Sequence, residues 1–164
     1  MRLVQPTAYK RHLSPFLQWF WHFQDFRIAE VTSSDDASRF QLHFVPRYGL
    51  ANFLVDSMRG PLRLSLPATV RLANIAAIIA AGLKFGKAKK DGDVIARDMQ
   101  ISCDSPIVYR HKDTITVTVT IEELGESSRF NIYNARFDVG PNAEHHGIVK
   151  HYYCKPRAVR DGRQ

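Results

Sequence analysis

One polar side chain stands alone in an apolar stretch of this sequence. Asn74 lies between Leu72 and Leu83, and no other residue of that run is polar. An amide in this setting can hold a water molecule or a ligand oxygen, or it can satisfy a buried backbone carbonyl. If the stretch is a helix, its start supplies free N–H groups and the positive end of the helix dipole. Ala68 and Thr69 are therefore placed where an oxygen that becomes negative would be held.

The segment before this stretch adds a carboxylate and a phenol. Asp56 is the nearest carboxylate in the preceding loop and is the candidate general base, because activating a water molecule requires a proton acceptor. Tyr48 is a candidate hydrogen-bond donor. Each has a structural alternative: Asp56 can cap a helix or pair with Arg59, and Tyr48 can be a packed ring.

The histidines and cysteines are not spaced as they are in metal sites. His145, His146 and His151 have no carboxylate at ligand spacing, so we expect the adjacent pair to be exposed and predict no metal. Cys103 and Cys154 have neither the CxxC spacing of a redox site nor the number of a disulfide framework. This pattern predicts two buried free thiols in a reducing compartment.

Length and composition predict one domain. With 164 residues, 45% of them hydrophobic and 24% charged, the chain can bury a sizeable core over residues 1–164. Residues 1–24 are predicted to form an aromatic helical segment with a helix starting at Ser14, and residues 156–164 a basic tail. The sequence shows no secretory h-region, so the expected location is cytoplasmic.

A formal net charge of +7 favours an anionic partner. Nucleic acid, anionic lipid, and a phosphate-bearing coenzyme A or acyl carrier protein all fit this charge. The lysine-rich loop of residues 87–90 is typical of a solvated surface and could also bind phosphate. Charge by itself does not choose among these partners.

Residues 66–86 are predicted to form a long buried helix. Pro67 suits the first helical turn, where its missing N–H is not needed, and Gly82 and Gly86 offer stops beside Lys84. A helix that is apolar on all sides is buried, and this one, interrupted by Arg71 and Asn74, is too short for a bilayer span. A single buried helix requires a sheet around it.

Alternating apolar residues supply that sheet. Residues 26–32 and 39–45 are predicted to form a hairpin across a turn at 33–36, and a short helix is predicted at 48–58. The segments 94–103, 114–122, 128–139 and 147–154 are predicted to form a four-stranded antiparallel meander. The apolar phase slips between Ile132 and Tyr133, which predicts a bulge there.

Residues 95–156 resemble the C-terminal half of hotdog-fold thioesterases. Asp113 to Val117, Glu123 to Ser128 and Val149 to Cys154 carry the resemblance. The central helix with its lone Asn74 is similar to that of the long-chain fatty acyl-CoA thioesterase family. The resemblance implies an α+β hotdog fold, an antiparallel sheet wrapped round a long central helix.

The resemblance also implies a reaction, the hydrolysis of an acyl thioester. Residues 66–90 contain no carboxylate, so the helix acid of many hotdog thioesterases is absent. Ser65 and Ser57 stand where the long-chain family is expected to have asparagine and tyrosine. The catalytic set implied in this way is Asn74, Asp56, Tyr48 and Ser65. The implied substrate-binding residues are Ser57, Ala68, Thr69, Ile75, Ile78, Met99, Arg110 and Lys112.

The implied substrate is a fatty or polyketide acyl group on coenzyme A or acyl carrier protein. Its tail is expected to lie against Ile75, Ile78 and Met99, and its phosphates near Arg110 and Lys112. No further cofactor is expected. The implied assembly is a homodimer, or a dimer of dimers, joined at sheet edges, with no nucleic acid and no integral membrane association.

Two alternatives from other classes stay open at this point. A non-catalytic acyl-binding or assembly protein would explain the missing helix carboxylate. A cone-shaped fold of the nuclear-transport-factor-2 type, with an isomerase or cyclase site, also packs helices on a curved sheet. In that fold the helices would precede most of the strands, whereas here the hairpin of residues 26–45 precedes the long helix.

Overall fold

A hairpin, a long helix and a set of antiparallel strands make up the described part of the chain. The computed structural model describes residues 1–10, 12, 26–46, 62–86, 94–110, 113–127 and 129–154. Its elements in chain order are β1 (Arg2–Leu3), α1 (Pro6–Lys10), β2 (Phe26–Ser33), β3 (Arg39–Pro46), β4 (Leu62–Arg63), α2 (Leu66–Phe85), β5 (Val94–Cys103), β6 (Val108–Tyr109), β7 (Ile115–Glu126), β8 (Phe130–Val139) and β9 (His145–Cys154).

The predicted long helix and the predicted hairpin are both confirmed. α2 begins at Leu66 as predicted, and β2 pairs with β3 across the expected turn. β5 has the predicted bounds, whereas β9 begins at His145, two positions earlier than expected. The predicted helices at Ser14 and at residues 48–58 lie outside the described residues.

α2 starts and ends where its sequence allows. Ser65 is the N-cap, Pro67 lies in the first turn, and Gly86, with a φ of 91°, closes the helix by donating its N–H to the Gly82 carbonyl. Gly82 does not stop the helix as predicted. Gly82 is helical, and the His12 side chain lies against it so closely that a Cβ atom would not fit.

One side of α2 packs on the sheet. Its buried residues run from Thr69 to Gly82, and they contact buried apolar side chains of β3, β7, β8 and β9. Arg71, Asn74 and Ile78 lie on the other side and are half-buried. By length and composition α2 could also cross a membrane, but here it is the core helix of the fold.

The sheet order differs from the predicted meander. Seven strands pair antiparallel in the order β1-β2-β3-β7-β8-β9-β5. β5, which follows α2, therefore lies at one edge beside β9 rather than next to β7. α2 runs lengthwise beside β9: Thr69 near its start contacts His145 at the beginning of β9, and Gly86 at its end accepts a hydrogen bond from Tyr153 near the end of β9.

The predicted bulge is present, but the extra residue is on the partner strand. Tyr133 pairs with Glu123, and Ile132 pairs with Gly125, so Leu124 of β7 has no partner in the ladder. The alternation predicted for the first part of β7 is confirmed, since Ile115 to Ile121 are buried at every second position. The bulge in β7 therefore changes which β8 residues face the core, although β8 itself has no extra residue.

A histidine and a tyrosine are buried together between α2 and the sheet. His151 of β9 is 1% exposed and stacks on Tyr133 of β8, with ring centroids 5.2 Å apart. Phe85 of α2 packs against Tyr133 and Tyr153. The two His151 ring nitrogens and the Tyr133 hydroxyl have no hydrogen-bond partner in the described part of the chain. Burial lowers the pKa of His151 to about 4, against the opposing effect of the Val149 backbone.

We expect His151 to make the stability of the protein depend on pH. Between pH 6.5 and 4 the unfolded state takes up a proton on His151 while the folded state does not, so stability falls as the pH falls. The loss at pH 4 is about 3 kcal/mol. His151→Phe should remove this part of the pH dependence, as measured by urea unfolding at pH 7, 5.5 and 4.

Tyr133→Phe is the matched control for this experiment. Burial raises the pKa of Tyr133 well above its usual value, so its hydroxyl does not titrate between pH 4 and 7. The control should keep the pH dependence of the parent protein. Equal slopes for His151→Phe and the parent would contradict the assignment to His151.

Candidate active site at the start of the central helix

An open pocket of about 320 Å³ lies beside the N-terminus of α2. Three chain segments form it: the residues leading into α2, the residues following β5, and the first residue of β9. Its chemistry-bearing side chains are therefore brought together from distant parts of the sequence. The lining residues are Arg63, Leu64, Leu66, Cys103, Asp104, Ser105, Pro106 and His145.

Backbone hydrogen bonds hold these segments in place. β4 pairs with β6, and the Leu64 N–H donates to the Ile107 carbonyl at 2.9 Å. The Asp104 N–H donates to the Glu144 carbonyl at 2.8 Å. These bonds join the entry to α2, the end of β5 and the start of β9, so the pocket walls are set by the backbone.

A threonine and a histidine meet next to the pocket. Thr69 is fully buried in the first turns of α2, and its Oγ1 lies 2.7 Å from Nδ1 of His145. The same hydroxyl donates to the Ser65 carbonyl at 3.2 Å. A hydroxyl has one proton, so when it is donated to the Ser65 carbonyl the proton of the 2.7 Å bond belongs to Nδ1. The other nitrogen of His145, Nε2, then carries a lone pair and can accept a proton.

Structure corrects the prediction that the adjacent histidines are exposed. His145 is 4% exposed, whereas His146 is half-buried, with Nδ1 3.5 Å from Asp104 Oδ2. β9 begins at His145, so His145 shares the core-facing side with Val149 and His151. Polar and apolar residues are mixed on both faces of β9, with His151 on the core-facing side and Ile148 on the other, so no local pattern in this strand placed His145 inward.

Structure also corrects the prediction of two buried thiols. Cys103 is exposed and lines the pocket, and Cys154 is half-buried. The pattern of apolar residues in β5 could not show this, because it does not reveal that β5 is an edge strand.

The first N–H groups of α2 are partly occupied. The Ala68 N–H donates to Ser65 Oγ at 3.4 Å, and the Thr69 N–H donates to the Ser65 carbonyl at 2.9 Å. In this conformation the N–H groups of Ala68 and Thr69, which are predicted to hold a substrate oxygen, are engaged by Ser65. The positive end of the helix dipole remains directed toward the pocket side of Ser65.

The other predicted site residues do not converge on this pocket. Asn74 lies about 140° round the helix from Thr69, on the half-buried side together with Ile78. Ile75 is buried in the core, and Met99 is half-buried on β5. Arg110 is exposed, and its N–H donates to Asp113 Oδ2 at 2.7 Å. The predicted residues that lie outside the described part are Tyr48, Asp56, Ser57 and Lys112.

Metal ligands do not cluster in the described residues. Within them, no three histidine, cysteine, aspartate or glutamate side chains lie close enough together to hold a metal ion. The side chains that line the pocket offer an imidazole, a thiol, a carboxylate, a hydroxyl and a guanidinium.

Comparison with known proteins identifies the fold. No protein-family model and no curated protein sequence matches the chain. The HP0420 homologue from Helicobacter felis covers 94% of this chain and 96% of its own, with a TM-score of 0.53 at 13% identity. S. sahachiroi AziG covers 87% and 98%, with a TM-score of 0.51 at 12% identity. The chain has the hotdog fold.

Structures titled as thioesterases are also among the similar solved structures. Thioesterase HI1161 from Haemophilus influenzae has a TM-score of 0.47 at 11% identity, with coverage of 80% of this chain and 79% of its own. At these identities a likeness concerns the fold and leaves the reaction open.

We expect Ser65 to act as a helix cap. Ser65→Ala should lower the free energy of unfolding by about 1 kcal/mol, because the Ala68 N–H loses its acceptor. Ser65→Asp should keep the stability, since aspartate is also a good cap and its charge is favourable at a helix N-terminus. Urea unfolding measures both variants. An alanine variant as stable as the parent would contradict the cap.

Proposed function

We propose that the chain hydrolyses an acyl thioester, a fatty or polyketide acyl group carried on coenzyme A or acyl carrier protein, at the pocket beside α2. The observation that carries the proposal is the Thr69–His145 pair. It presents a buried imidazole, held by its Nδ1, to a pocket at the positive end of the core helix. The hotdog fold is consistent with this reaction but does not select it.

In this proposal His145 is the general base. Nε2 accepts a proton from the attacking group, and Thr69 keeps the ring in the required tautomer. The attack makes the thioester oxygen negative, and the positive end of α2 lowers the energy of that charge. The imidazolium then returns the proton to the departing thiol, which completes the reaction without any other acid.

The charges near the pocket support an anionic carrier. Arg63 lines the pocket and is exposed, and the chain carries a formal net charge of +7. The phosphates of coenzyme A or of a phosphopantetheine arm would be attracted to such a surface. Arg110 is exposed beyond β6 and is a second candidate contact for them.

An apolar path for the acyl tail leads away from the pocket along β5. Met99, Ile101 and Cys103 alternate along this strand, so their side chains share one face of it. Met99 and Ile101 are half-buried and pack against the core. We infer that the acyl tail lies over these two side chains. Met99 would then contact the tail, as the sequence predicts.

A specific observation favours the alternative of a non-catalytic acyl-binding protein. Residues 66–85 of α2 include no carboxylate, and the carboxylate that lines the pocket, Asp104, is exposed and lies near His146. Under this alternative the protein would bind an acyl thioester and release it unchanged.

We expect His145→Gln to lower the rate of octanoyl-CoA hydrolysis about 100-fold or more, because the base is lost. Thr69→Val should also lower it, by freeing the ring that the hydroxyl holds. His146→Gln is the matched control and should hydrolyse at the parent rate, since His146 is not among the lining residues. Release of thiol from a series of acyl-CoA chain lengths is the measurement, with circular dichroism to check folding.

The Asn74→Ala variant tests which side of α2 carries the active site. If the pocket is the site, this variant should keep most of the activity, because Asn74 lies on the opposite side of α2 from Thr69. A tenfold loss in Asn74→Ala with unchanged rates in His145→Gln would instead place the reaction at the Asn74 side, about as the sequence predicts. Acyl-CoA binding without release in the parent would select the non-catalytic alternative.

We also propose a homodimer formed at the free edge of β5. This strand has 10 residues, and within the described residues no strand pairs with its outer side. An exposed edge of that length is a site for pairing with a second copy. Sedimentation equilibrium should give twice the 18.7 kDa mass of one chain. A mass equal to one chain at micromolar concentration would contradict this proposal.

A further inference from the structure

We propose that Cys103 is the nucleophile of this site and carries the acyl group as a covalent intermediate. The inference rests on the proposed function, because it names the group that first attacks the thioester. It differs from direct hydrolysis, in which water attacks the substrate without any bond to the protein.

Strand register brings the thiol to the imidazole. Cys103 of β5 and His145 of β9 are direct partners in the antiparallel ladder, and both line the pocket. Side chains of direct partners point to the same face of a sheet, with Cβ atoms about 4.5–5.5 Å apart. The structure records no hydrogen bond between the two side chains in this conformation, and the proposed attack requires a Cys103 rotamer that places Sγ beside the ring.

The imidazole is prepared to accept a proton. When the Thr69 hydroxyl donates to the Ser65 carbonyl, Nδ1 carries the ring proton and Nε2 has the lone pair. Among the described residues the His145 imidazole makes no other hydrogen bond. A polar side chain that is 96% buried and has an unpartnered nitrogen at a pocket wall indicates a site that is completed by another group.

The Cys103 thiol is accessible, and positively and negatively charged side chains line the same pocket. Cys103 is exposed, which a nucleophile toward a large thioester requires. Arg63 and Asp104 also line the pocket, and His146 Nδ1 lies 3.5 Å from Asp104 Oδ2. The Glu144 carboxylate accepts hydrogen bonds from Asn142 and is directed toward that turn.

The reaction then has two balanced steps. In the first, Nε2 of His145 takes the proton of the Cys103 thiol as Sγ bonds to the thioester carbon. The bond from that carbon to the carrier sulfur breaks, and the carrier thiol leaves with the proton. In the second, water attacks the acylated Cys103, His145 takes a proton from the water, and Sγ leaves and is reprotonated. A carboxylic acid is released, and no atom is oxidised or reduced.

The test traps the intermediate with octanoyl-CoA as the probe. The parent protein is mixed with the probe, quenched in acid at successive times, and examined by intact-mass and peptide mass spectrometry. We expect one octanoyl group on the peptide that contains Cys103, formed before the acid accumulates. Cys103→Ala should lose both the adduct and hydrolysis, the latter about 100-fold or more. Cys154→Ala is the matched control and should keep both.

The outcomes separate this inference from the proposed function. Hydrolysis at the parent rate in Cys103→Ala overturns the inference while the proposed function stands. An adduct on Cys103 without release of acid supports the inference and overturns hydrolysis. An adduct on any other residue, or neither adduct nor hydrolysis at any chain length, overturns the inference. Circular dichroism of Cys103→Ala checks that an exposed side chain was removed without unfolding.

A second readout needs no substrate. If His145 activates the thiol, His145→Gln should slow the alkylation of Cys103 by iodoacetamide at neutral pH at least about fivefold, because less thiolate is present. Alkylation of Cys154 in the same sample should not change. An unchanged rate at Cys103 would overturn its activation by His145.

Discussion

The fold depends on burying α2 against one face of the antiparallel sheet. The helix has small and aliphatic residues on the buried side, and each fully buried isoleucine or leucine contributes about 1.5–3 kcal/mol. Hydrogen bonds hold both ends of the helix in place. Ser65 caps the start, and at the other end the Gly86 carbonyl accepts a 2.6 Å hydrogen bond from the Tyr153 hydroxyl.

This packing decides where the chemistry lies. α2 lies along β9, and β5, which follows it in the chain, pairs with β9 at the edge of the sheet, which brings Cys103 opposite His145. The start of α2 reaches the same place and supplies Thr69, 76 positions away from His145 in sequence. The pocket therefore combines an edge strand, an inner strand and a helix start, and moving any one of them would separate the thiol, the imidazole and the hydroxyl.

Two histidines of β9 illustrate how position along α2 changes the role of one residue type. His145 and His151 both face the helix and are both buried. His145, at the helix start, has a hydroxyl partner and adjoins a pocket. His151, near the helix end, is enclosed by Tyr133 and neighbouring rings, and burial keeps it neutral at pH values where an exposed histidine is charged. We propose proton transfer for the first, and we expect the second to make folding sensitive to acid.

Local patterns in the sequence determined the elements. The apolar run with Ser65 and Pro67 at its start predicted α2, and the alternation of residues 115–121 predicted a strand with one buried face, because helix caps and side-chain periodicity are short-range properties. The hotdog fold followed from the order of these elements together with the family resemblance. Tertiary structure alone decided the strand order, since the pairing of β5 with β9 joins segments that lie far apart in the sequence. It also decided that Cys103 is exposed, that His145 is buried, and that Asn74 and Thr69 lie on opposite sides of the helix. Those properties depend on which surface covers each residue, and no local pattern in the chain specifies that surface.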